Sequence, residues 1–268
     1  MLKDITLGQY FPGNTVVHRL DPRTKLLLTV VYIAALFLAE QLVSYGILLA
    51  ALAGCIALAK LKPKTILKGL KPVLVILILT AVLNLFYTPG ETVLARVWIF
   101  TITLEGVWTA FFMVLRIMML ITGTFLLTYT TSPILLTDGL ESLLNPLKKL
   151  HVPVHELAMM MSIALRFIPT LIEETDKIMS AQRARGADFD SGNLIQKAKA
   201  LLPLLVPLFI SAFRRADELA VAMECRCYHG GEGRTRMRQL KYERRDALAL
   251  IFGLVIAAVV GVLGWMGL

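Results

Sequence analysis

The chain has few of the side chains that most enzymes use for chemistry. Its 268 residues include only 3 cysteines and 4 histidines, and its 19 acidic residues are outnumbered by 28 basic ones. The sequence contains neither a G-x-x-x-x-G-K-[ST] phosphate-binding loop nor the H-E-x-x-H pattern of zinc metalloproteases. Paired aspartates of the kind that hold magnesium in prenyl transfer are absent too. These absences weigh against a nucleotide-driven motor or a hydrolase within this chain.

The cysteines are also too few for a disulfide framework. Cys55 falls in an apolar run, and Cys225 and Cys227 fall in a basic segment that we expect to face a reducing cytoplasm. Together with His229 they would supply three metal ligands, whereas structural zinc needs four. We therefore expect this chain to bind neither a metal nor a cofactor.

Apolar residues are abundant instead and make up 57% of the chain. Several runs approach the roughly 20 residues that a helix needs to cross the hydrocarbon layer. The predicted spans are 26–43, 44–60, 72–88, 104–129 and 246–267. Helices rich in Leu, Val and Ile close their backbone hydrogen bonds internally, as lipid requires. The sequence therefore predicts an all-α polytopic membrane protein with about five transmembrane helices.

Positive charge sets the expected orientation. Basic residues precede the first span and lie between spans two and three, whereas only Arg96 lies between spans three and four. The segment 130–245 then holds 17 of the 28 Lys and Arg residues. This alternation predicts a cytoplasmic N-terminus. It also accounts for the net charge of +9 without a nucleic-acid partner.

The predicted organisation has three parts: residues 1–130 with four transmembrane helices, a cytoplasmic region 131–245, and a last span within 246–268. The cytoplasmic region should hold three helices. The first begins at Ser132-Pro133, the second covers about 153–185, and the third covers about 193–227 and bends at Pro203 and Pro207. The second and third are long, amphipathic helices expected beside the inner membrane face.

Two features of these helices allow more than one interpretation. The run Met159-Met160-Met161 either fills the chain's own core or forms an adaptable surface for membrane partners. Within the spans, Asn84, Glu105 and Arg116 are the main polar groups. We expect Glu105 at a helix start and Arg116 to be packed or snorkelling, with a substrate pathway through them as the alternative.

Two arginines, Arg185 and Arg226, stand near the ends of the long helices, and glycines follow both at Gly186 and Gly230-Gly231. An arginine at a helix C-terminus is locally stabilising by about 0.3–1 kcal/mol, which explains one such residue. Two helices that both end this way favour a second role. Each planar guanidinium would pair with a partner's carboxylate or carbonyl groups.

These residues resemble the family of transmembrane coupling subunits, EcfT, of energy-coupling factor (ECF) vitamin transporters. The resemblance covers nearly the whole chain and is most specific at Ala184-Arg185-Gly186, which matches the first of the family's two Ala-Arg-Gly motifs. The further matching stretches are GQYFPG at 8–13, HRLDPRTK at 18–25, SIALRFIPT at 162–170 and FRRADELA at 213–220.

The second Ala-Arg-Gly motif is replaced by Cys225-Arg226-Cys227. The arginine is kept, so docking through it should survive. A residue other than glycine at 227 raises the cost of a left-handed helix end. We therefore expect the helix to end later, toward Gly230, and the two arginine ends to differ.

The resemblance implies partners rather than activity. Two ABC-type ATPases, which carry ATP and Mg, would dock on Ala184, Arg185, Gly186, Cys225, Arg226 and Cys227. A substrate-binding S-component would pack on Met160, Met161, Ala164, Ile168, Leu204 and Leu208. The chain would be a non-catalytic subunit of the cell membrane that serves vitamin or micronutrient uptake. A dedicated cobalt or nickel transporter, a conventional permease and a membrane-embedded enzyme are the alternatives.

Overall fold

The computed structural model describes residues 10–39, 41–89, 92–97, 100–189, 193–230 and 239–266. Helices dominate these residues, which confirms the all-α class. The helices are α1 (Val16–Arg19), α2 (Pro22–Leu38), α3 (Leu42–Ala59), α4 (Pro63–Leu70), α5 (Leu74–Tyr87), α6 (Leu104–Thr130), α7 (Pro133–Leu144), α8 (Val154–Ala184), α9 (Leu194–Glu224) and α10 (Arg244–Met266). Short 3-10 turns cover Lys71–Val73 and Asn145–Leu150.

One small addition to the helical fold was not predicted. Strands β1 (Val93–Val97) and β2 (Phe100–Thr103) pair antiparallel between α5 and α6, with Val93 opposite Thr103 and Val97 opposite Phe100. Their residues are largely β-branched or aromatic, which suits a strand better than a helix. Thr103 then ends the hairpin and caps α6 by accepting the backbone N–H of Gly106.

Helix starts follow the local signals in the sequence. Asp21 is the N-cap of α2 and accepts the backbone N–H of Arg23, with Pro22 at the first helical position. The predicted start of α7 at Ser132-Pro133 is confirmed, because the Ser132 hydroxyl accepts the backbone N–H of Leu135 at 3.4 Å. These caps satisfy backbone donors that have no partner within the helix.

The contacts divide the chain into two compact units. The membrane unit comprises Gly8–Gly139 and Leu240–Leu268, so it brings α10 together with the N-terminal helices. The second unit contains Leu140–Gln239, with α8 and α9, and is called the coupling unit after the role that the family resemblance implies.

In the membrane unit, α2 is packed against both α10 and α6. The helices α2 and α10 run parallel, because Asp21 meets Asp246 at their starts and Leu38 approaches Gly264 at their ends. A Cβ on Gly264 would lie 3.1 Å from the Leu38 carbonyl oxygen. Small residues let the backbones of membrane helices approach this closely. The core around this contact contains Leu36 and Val260, both fully buried.

Among the described residues, five helical segments are long and apolar enough to cross a membrane: Leu42–Ala59, Pro63–Tyr87, Leu104–Thr130, Val154–Ala184 and Arg244–Met266. Four of them contain most of the predicted spans 44–60, 72–88, 104–129 and 246–267. The predicted span 26–43 is wrong in its extent, because α2 ends at Leu38. At 17 residues, or roughly 26 Å, α2 is shorter than the hydrocarbon layer. The fifth segment is α8, whose cytoplasmic position stays a prediction.

Arg116 is packed rather than snorkelling. Its Nε donates to the hydroxyl of Tyr45 and its terminal nitrogen donates to the carbonyl of Ala39, both at 2.9 Å. Glu105 lies in the first turn of α6, as predicted, and accepts from the Thr92 hydroxyl at 2.9 Å. Asn84 donates to Thr80 within its own helix. The three groups therefore have separate partners.

Candidate partner-docking site

The first arginine end is a fully formed helix stop. The N–H of Gly186 donates to the Arg183 carbonyl, and the N–H of Ala187 donates to the Gln182 carbonyl, both at 3.0 Å. This pair of bonds is the Schellman motif, with Gly186 in the left-handed conformation at φ +86°. Arg185 is the last residue before the left-handed turn, and its side chain is exposed.

The second arginine end has the same backbone motif. The N–H of Cys227 donates to the Glu224 carbonyl at 2.8 Å, and the N–H of Tyr228 donates to the Met223 carbonyl at 3.1 Å. Cys227 takes the left-handed position at φ +56°, where the first end has glycine. Arg226 therefore occupies the same position as Arg185, and it is also exposed.

The expectation that the second helix would end later, toward Gly230, is thus wrong. Left-handed backbone costs a residue other than glycine free energy, but here two hydrogen bonds close the turn on carbonyls that would otherwise lack partners. The stop consequently stays at Cys227, and the two ends have equivalent backbones.

The helices α8 and α9 pack antiparallel. Contacts pair the end of α8 with the early part of α9, where Gln182 meets Pro203, and the middle of α8 with the middle of α9, where Glu174 meets Ser211. The arginine ends therefore lie at opposite ends of the pair. Roughly 35 Å along α9 separates Pro203, beside the Arg185 end, from Arg226.

A carboxylate fixes the middle of this helix pair. Glu174 on α8 accepts a short hydrogen bond from the Ser211 hydroxyl and a 2.6 Å charged bond from Arg215, one turn further along α9. Both charged side chains are partly shielded from solvent. Charge-assisted bonds of this length are stronger than neutral ones, so they tie the two helices at one level.

A second tie gives a partner to one of the carbonyl groups that the prolines of α9 leave free. Pro207 has no backbone N–H, so the carbonyl of Pro203 loses its usual partner within the helix. The side-chain amide of Gln182 donates to this carbonyl at 3.5 Å. Gln182 also provides the carbonyl that closes the Arg185 end. One residue therefore joins the first arginine end to the proline-containing part of α9.

Further along the pair, a row of small residues faces a row of large ones. The row on α9 is Ala212, Ala216 and Ala220, and the row on α8 is Ile163, Phe167 and Leu171. Both rows repeat every four residues, so each lies along one face of its helix. The three alanines are exposed, and the space between the two rows is an open groove of about 290 Å³.

The remaining surface of the pair is strongly apolar. On α8, Met160 is 54% exposed and Ala164 is exposed, whereas Met161 and Ile168 are half-buried. On α9, Leu208 is half-buried, but Leu204 is only 3% exposed and is closed off from a partner. The exposed large apolar side chains of α9 are Ile195, Leu201, Leu202, Leu205, Val206, Phe209, Ile210, Phe213 and Val221.

The sequence did contain a signal for this wider surface. The run 200–213 is apolar on every side of the helix, which is typical of a helix covered all round. Within the described part of the chain, nothing covers most of these side chains. We name the exposed set on α9 together with Met160 and Leu157 of α8 the apolar coupling surface.

A second polar centre, in the membrane unit, was not predicted. Asp246 is 2% exposed and accepts the backbone N–H groups of Asp21 at 2.8 Å and of Glu243 at 2.9 Å. Lys25, 6% exposed, donates to the carbonyls of His18 and Thr130 and to the Thr131 hydroxyl. We name Asp21, Arg23, Lys25 and Asp246 the helix-start cluster.

This cluster joins the starts of α2 and α10 to the end of α6. Arg23 pairs with the Asp21 carboxylate at 3.0 Å and lies 4.0 Å over the Tyr242 ring. Nearby, the pKa of the His18 imidazole is lowered, mainly by partial burial and also by the charge of Lys25. The hydrogen bond to the Phe11 carbonyl acts in the opposite direction and offsets part of this effect. The HRLDPRTK stretch is thus a structural anchor, which its local pattern alone did not reveal.

Among the described residues, no group of three or more His, Cys, Asp or Glu side chains is placed to hold a metal ion. The thiols of Cys225 and Cys227 are free and exposed. The two helix ends present exposed guanidinium groups that can form charge-assisted hydrogen bonds, and the coupling surface presents exposed apolar side chains.

Comparison with known proteins agrees with these features. Residues 13–237 match the family model described as CbiQ, cobalt transport protein. The chain is 55% identical to the energy-coupling factor transporter transmembrane protein EcfT of Acidaminococcus fermentans, over 99% of this chain and 98% of that protein. The protein of the same name from Clostridium kluyveri is 56% identical over 97% of this chain and 96% of that protein. The one from Bacillus subtilis is 49% identical over 96% of this chain and 97% of that protein. The chain therefore belongs to the CbiQ family and, within it, to the EcfT transmembrane proteins of energy-coupling factor transporters.

Proposed function

We propose that this chain is the non-catalytic coupling subunit of an ECF-type ABC transporter in the cell membrane, with its N-terminus in the cytoplasm. It would transmit the ATP-driven motion of two ATPase subunits to a substrate-binding S-component. The observation that carries this proposal is the equivalence of the Arg185 and Arg226 ends on one antiparallel helix pair. The full-length similarity to EcfT proteins supports it.

Each arginine end offers what a docking contact needs. The guanidinium is exposed and stands at a helix C-terminus, where the backbone is held by two hydrogen bonds. A fixed backbone limits the conformational entropy lost on binding. The planar guanidinium makes bidentate bonds to carboxylates and stays charged when buried. One such end for each of two ATPases gives one contact per partner, and ATP and Mg stay in those partners.

The S-component would cover the apolar coupling surface. A contiguous exposed apolar area of this kind marks a site of protein or membrane contact. Of the residues predicted for this contact, Met160 and Ala164 are exposed and stay in the proposal. The half-buried Met161, Ile168 and Leu208 would lie at the edge of the contact. The buried Leu204 is replaced by its exposed neighbours Leu205 and Phe209.

Docking can be tested by co-expressing this chain with its ATPase pair and an S-component and measuring complex formation and uptake. Replacing Arg185 or Arg226 by Ala should weaken ATPase retention, and the double change should abolish uptake. Arg214→Ala serves as the control, because Arg214 is an exposed arginine of α9 away from either end. Normal uptake by the well-expressed double variant would refute the docking role.

The S-component contact is tested separately in the same complex. Phe209→Asp should release the S-component while the ATPases stay bound, because a buried unpaired carboxylate is costly. Lys177→Asp, at an exposed polar position of α8, is the matched control. Full S-component retention by Phe209→Asp would contradict the proposed surface.

The proposal leaves the cargo to the S-component. Vitamin or other micronutrient uptake is what the resemblance to EcfT implies, and the identity of 49–55% to proteins of that name favours an ECF-type coupling subunit over a dedicated cobalt or nickel system. An enzyme within the membrane would need acids or nucleophiles that converge at one depth. The main polar groups of the predicted spans, Asn84, Glu105 and Arg116, have separate partners instead. Transport by this chain alone, when reconstituted without partners, would overturn the coupling role.

A further inference from the structure

An apolar groove with a volume of about 470 Å³ runs along the membrane unit. Buried side chains form its floor, among them Ala35, Leu48 and Leu52. Exposed apolar side chains form its rim, among them Leu58 and Phe252. A buried floor with an exposed rim means that the groove opens sideways, toward the surroundings of the helices.

The groove is as long as one leaflet of a bilayer is thick. On α2 its lining extends from Lys25 to Ala35, which is roughly 15 Å of helix. The hydrocarbon layer is about 30 Å thick, so one leaflet contributes about half of that. With the helix starts at the cytoplasmic membrane surface, as the charge pattern predicts, the groove would begin at that surface and reach about the middle of the bilayer, as an acyl chain does.

The groove offers little to a polar ligand. Its hydroxyl groups are committed to backbone carbonyls: Thr29 donates to Lys25 at 2.8 Å, and Thr130 donates to Leu126 at 2.7 Å. The Lys25 ammonium is held by three oxygen atoms. Hydrocarbon is the chemistry that matches such a lining.

The end of the groove at the helix-start cluster is positively charged. Arg245 lines the groove there, with a half-exposed side chain 3.3 Å from the exposed carboxylate of Glu243. The stretches 19–25 and 241–246 together hold six basic residues (Arg19, Arg23, Lys25, Lys241, Arg244 and Arg245) and three acidic ones (Asp21, Glu243 and Asp246). Basic pockets between membrane helices attract anionic lipid headgroups on the cytoplasmic side.

We propose that the groove binds one acyl chain of an anionic phospholipid from the cytoplasmic leaflet, with its phosphate at Arg245. The acyl chain fills the space between α2, α3, α6 and α10, and the lipid phosphate competes with Glu243 for the guanidinium of Arg245. The proposal is independent of ATPase docking, and it uses the predicted cytoplasmic position of the helix starts.

Native mass spectrometry of the purified full chain tests this site. The protein is extracted in mild detergent and titrated with equal amounts of phosphatidylglycerol and phosphatidylcholine. We expect one lipid per chain, with phosphatidylglycerol retained at least several-fold over phosphatidylcholine. Retention of both lipids in equal amounts would overturn the role of the phosphate.

Matched variants separate the two parts of the site. Ala249→Phe places a ring in the groove and should lose lipid, whereas Ala247→Phe, on the same helix but off the groove, should keep it. Arg245→Gln should lose the preference for phosphatidylglycerol, whereas its exposed neighbour Arg244→Gln should keep it. Identical behaviour within either pair would contradict the proposed geometry.

A measurement on the unaltered protein tests the same site without depending on how the variants fold. Phosphatidylglycerol with a photoactivatable group on its acyl chain should label peptides that contain the groove lining, such as Leu52 or Phe252, above other apolar peptides. Uniform labelling of all apolar helices would show ordinary lipid contact and overturn the proposal.

Discussion

The guanidinium of Arg116, near the middle of α6, donates a 2.9 Å hydrogen bond to the backbone carbonyl of Ala39, the first residue after α2. The last carbonyls of a helix carry partial negative charge and have no partner within the helix. Arg116 thus supplies a donor to the end of α2, where Ala39 is buried and out of reach of solvent. Tyr45 at the start of α3 accepts a second bond and holds the guanidinium in place.

Replacing Arg116 should therefore destabilise the membrane unit. Arg116→Met leaves the Ala39 carbonyl without this donor, which costs about 1–3 kcal/mol for a buried group. Tyr45→Phe removes one bond and leaves the guanidinium on Ala39, so its effect should be smaller. Thermal unfolding in detergent would rank the two variants, and equal losses would contradict the capping role.

Replacing the left-handed residue at the second arginine end should stabilise the turn there. Cys227→Gly removes the steric cost of positive φ and should stabilise that turn by about 1 kcal/mol. The reciprocal change, Gly186→Ala, should destabilise the first end by a similar amount. Hydrogen exchange of the amides around 223–228 and 182–187 measures both, because the effects are local. Unchanged exchange in both variants would mean that neither turn depends on this conformation.

The Glu174 carboxylate should matter for coupling more than for docking. Glu174→Gln weakens the charged bond to Arg215 and should loosen α8 from α9, at a cost of about 1 kcal/mol because both side chains are partly exposed. ATP hydrolysis by the complex should then persist while uptake per ATP falls severalfold. Glu173→Gln, at the exposed neighbouring position, is the control. Equal uptake per ATP in both variants would argue against the role of this bond.

The buried Asp246 should be among the least replaceable residues of the membrane unit. Asp246→Ala leaves the backbone N–H groups of Asp21 and Glu243 without their acceptor, at about 1–3 kcal/mol for the buried Asp21 donor and less for the part-exposed Glu243 donor. Asp246→Asn keeps one acceptor and should lose less. Thermal unfolding measures the order, with the exposed Glu243→Gln as a control that should behave like the parent chain.

The features predicted from the sequence were those set by neighbouring residues. Ser132-Pro133 starts α7 because a hydroxyl and a proline act within one turn. The partner of Arg116 was not predictable, since Ala39 lies 77 positions away and the contact depends on the packing of α6 on α2. Cys227 was misjudged because intrinsic preference favours glycine there, whereas the hydrogen bonds of the turn decide the outcome.

The position of α10 has a consequence for how the protein is made. Asp246 closes onto Asp21, 225 positions earlier, and α10 packs along the whole length of α2. Contacts so distant in sequence form slowly, since a long loop must close before they contribute. While the ribosome is still translating the coupling unit, α2 lacks its neighbour, and one side of the first inserted helices faces lipid. The contact between α2 and α10 can therefore form only after α10 has been synthesised and has entered the bilayer.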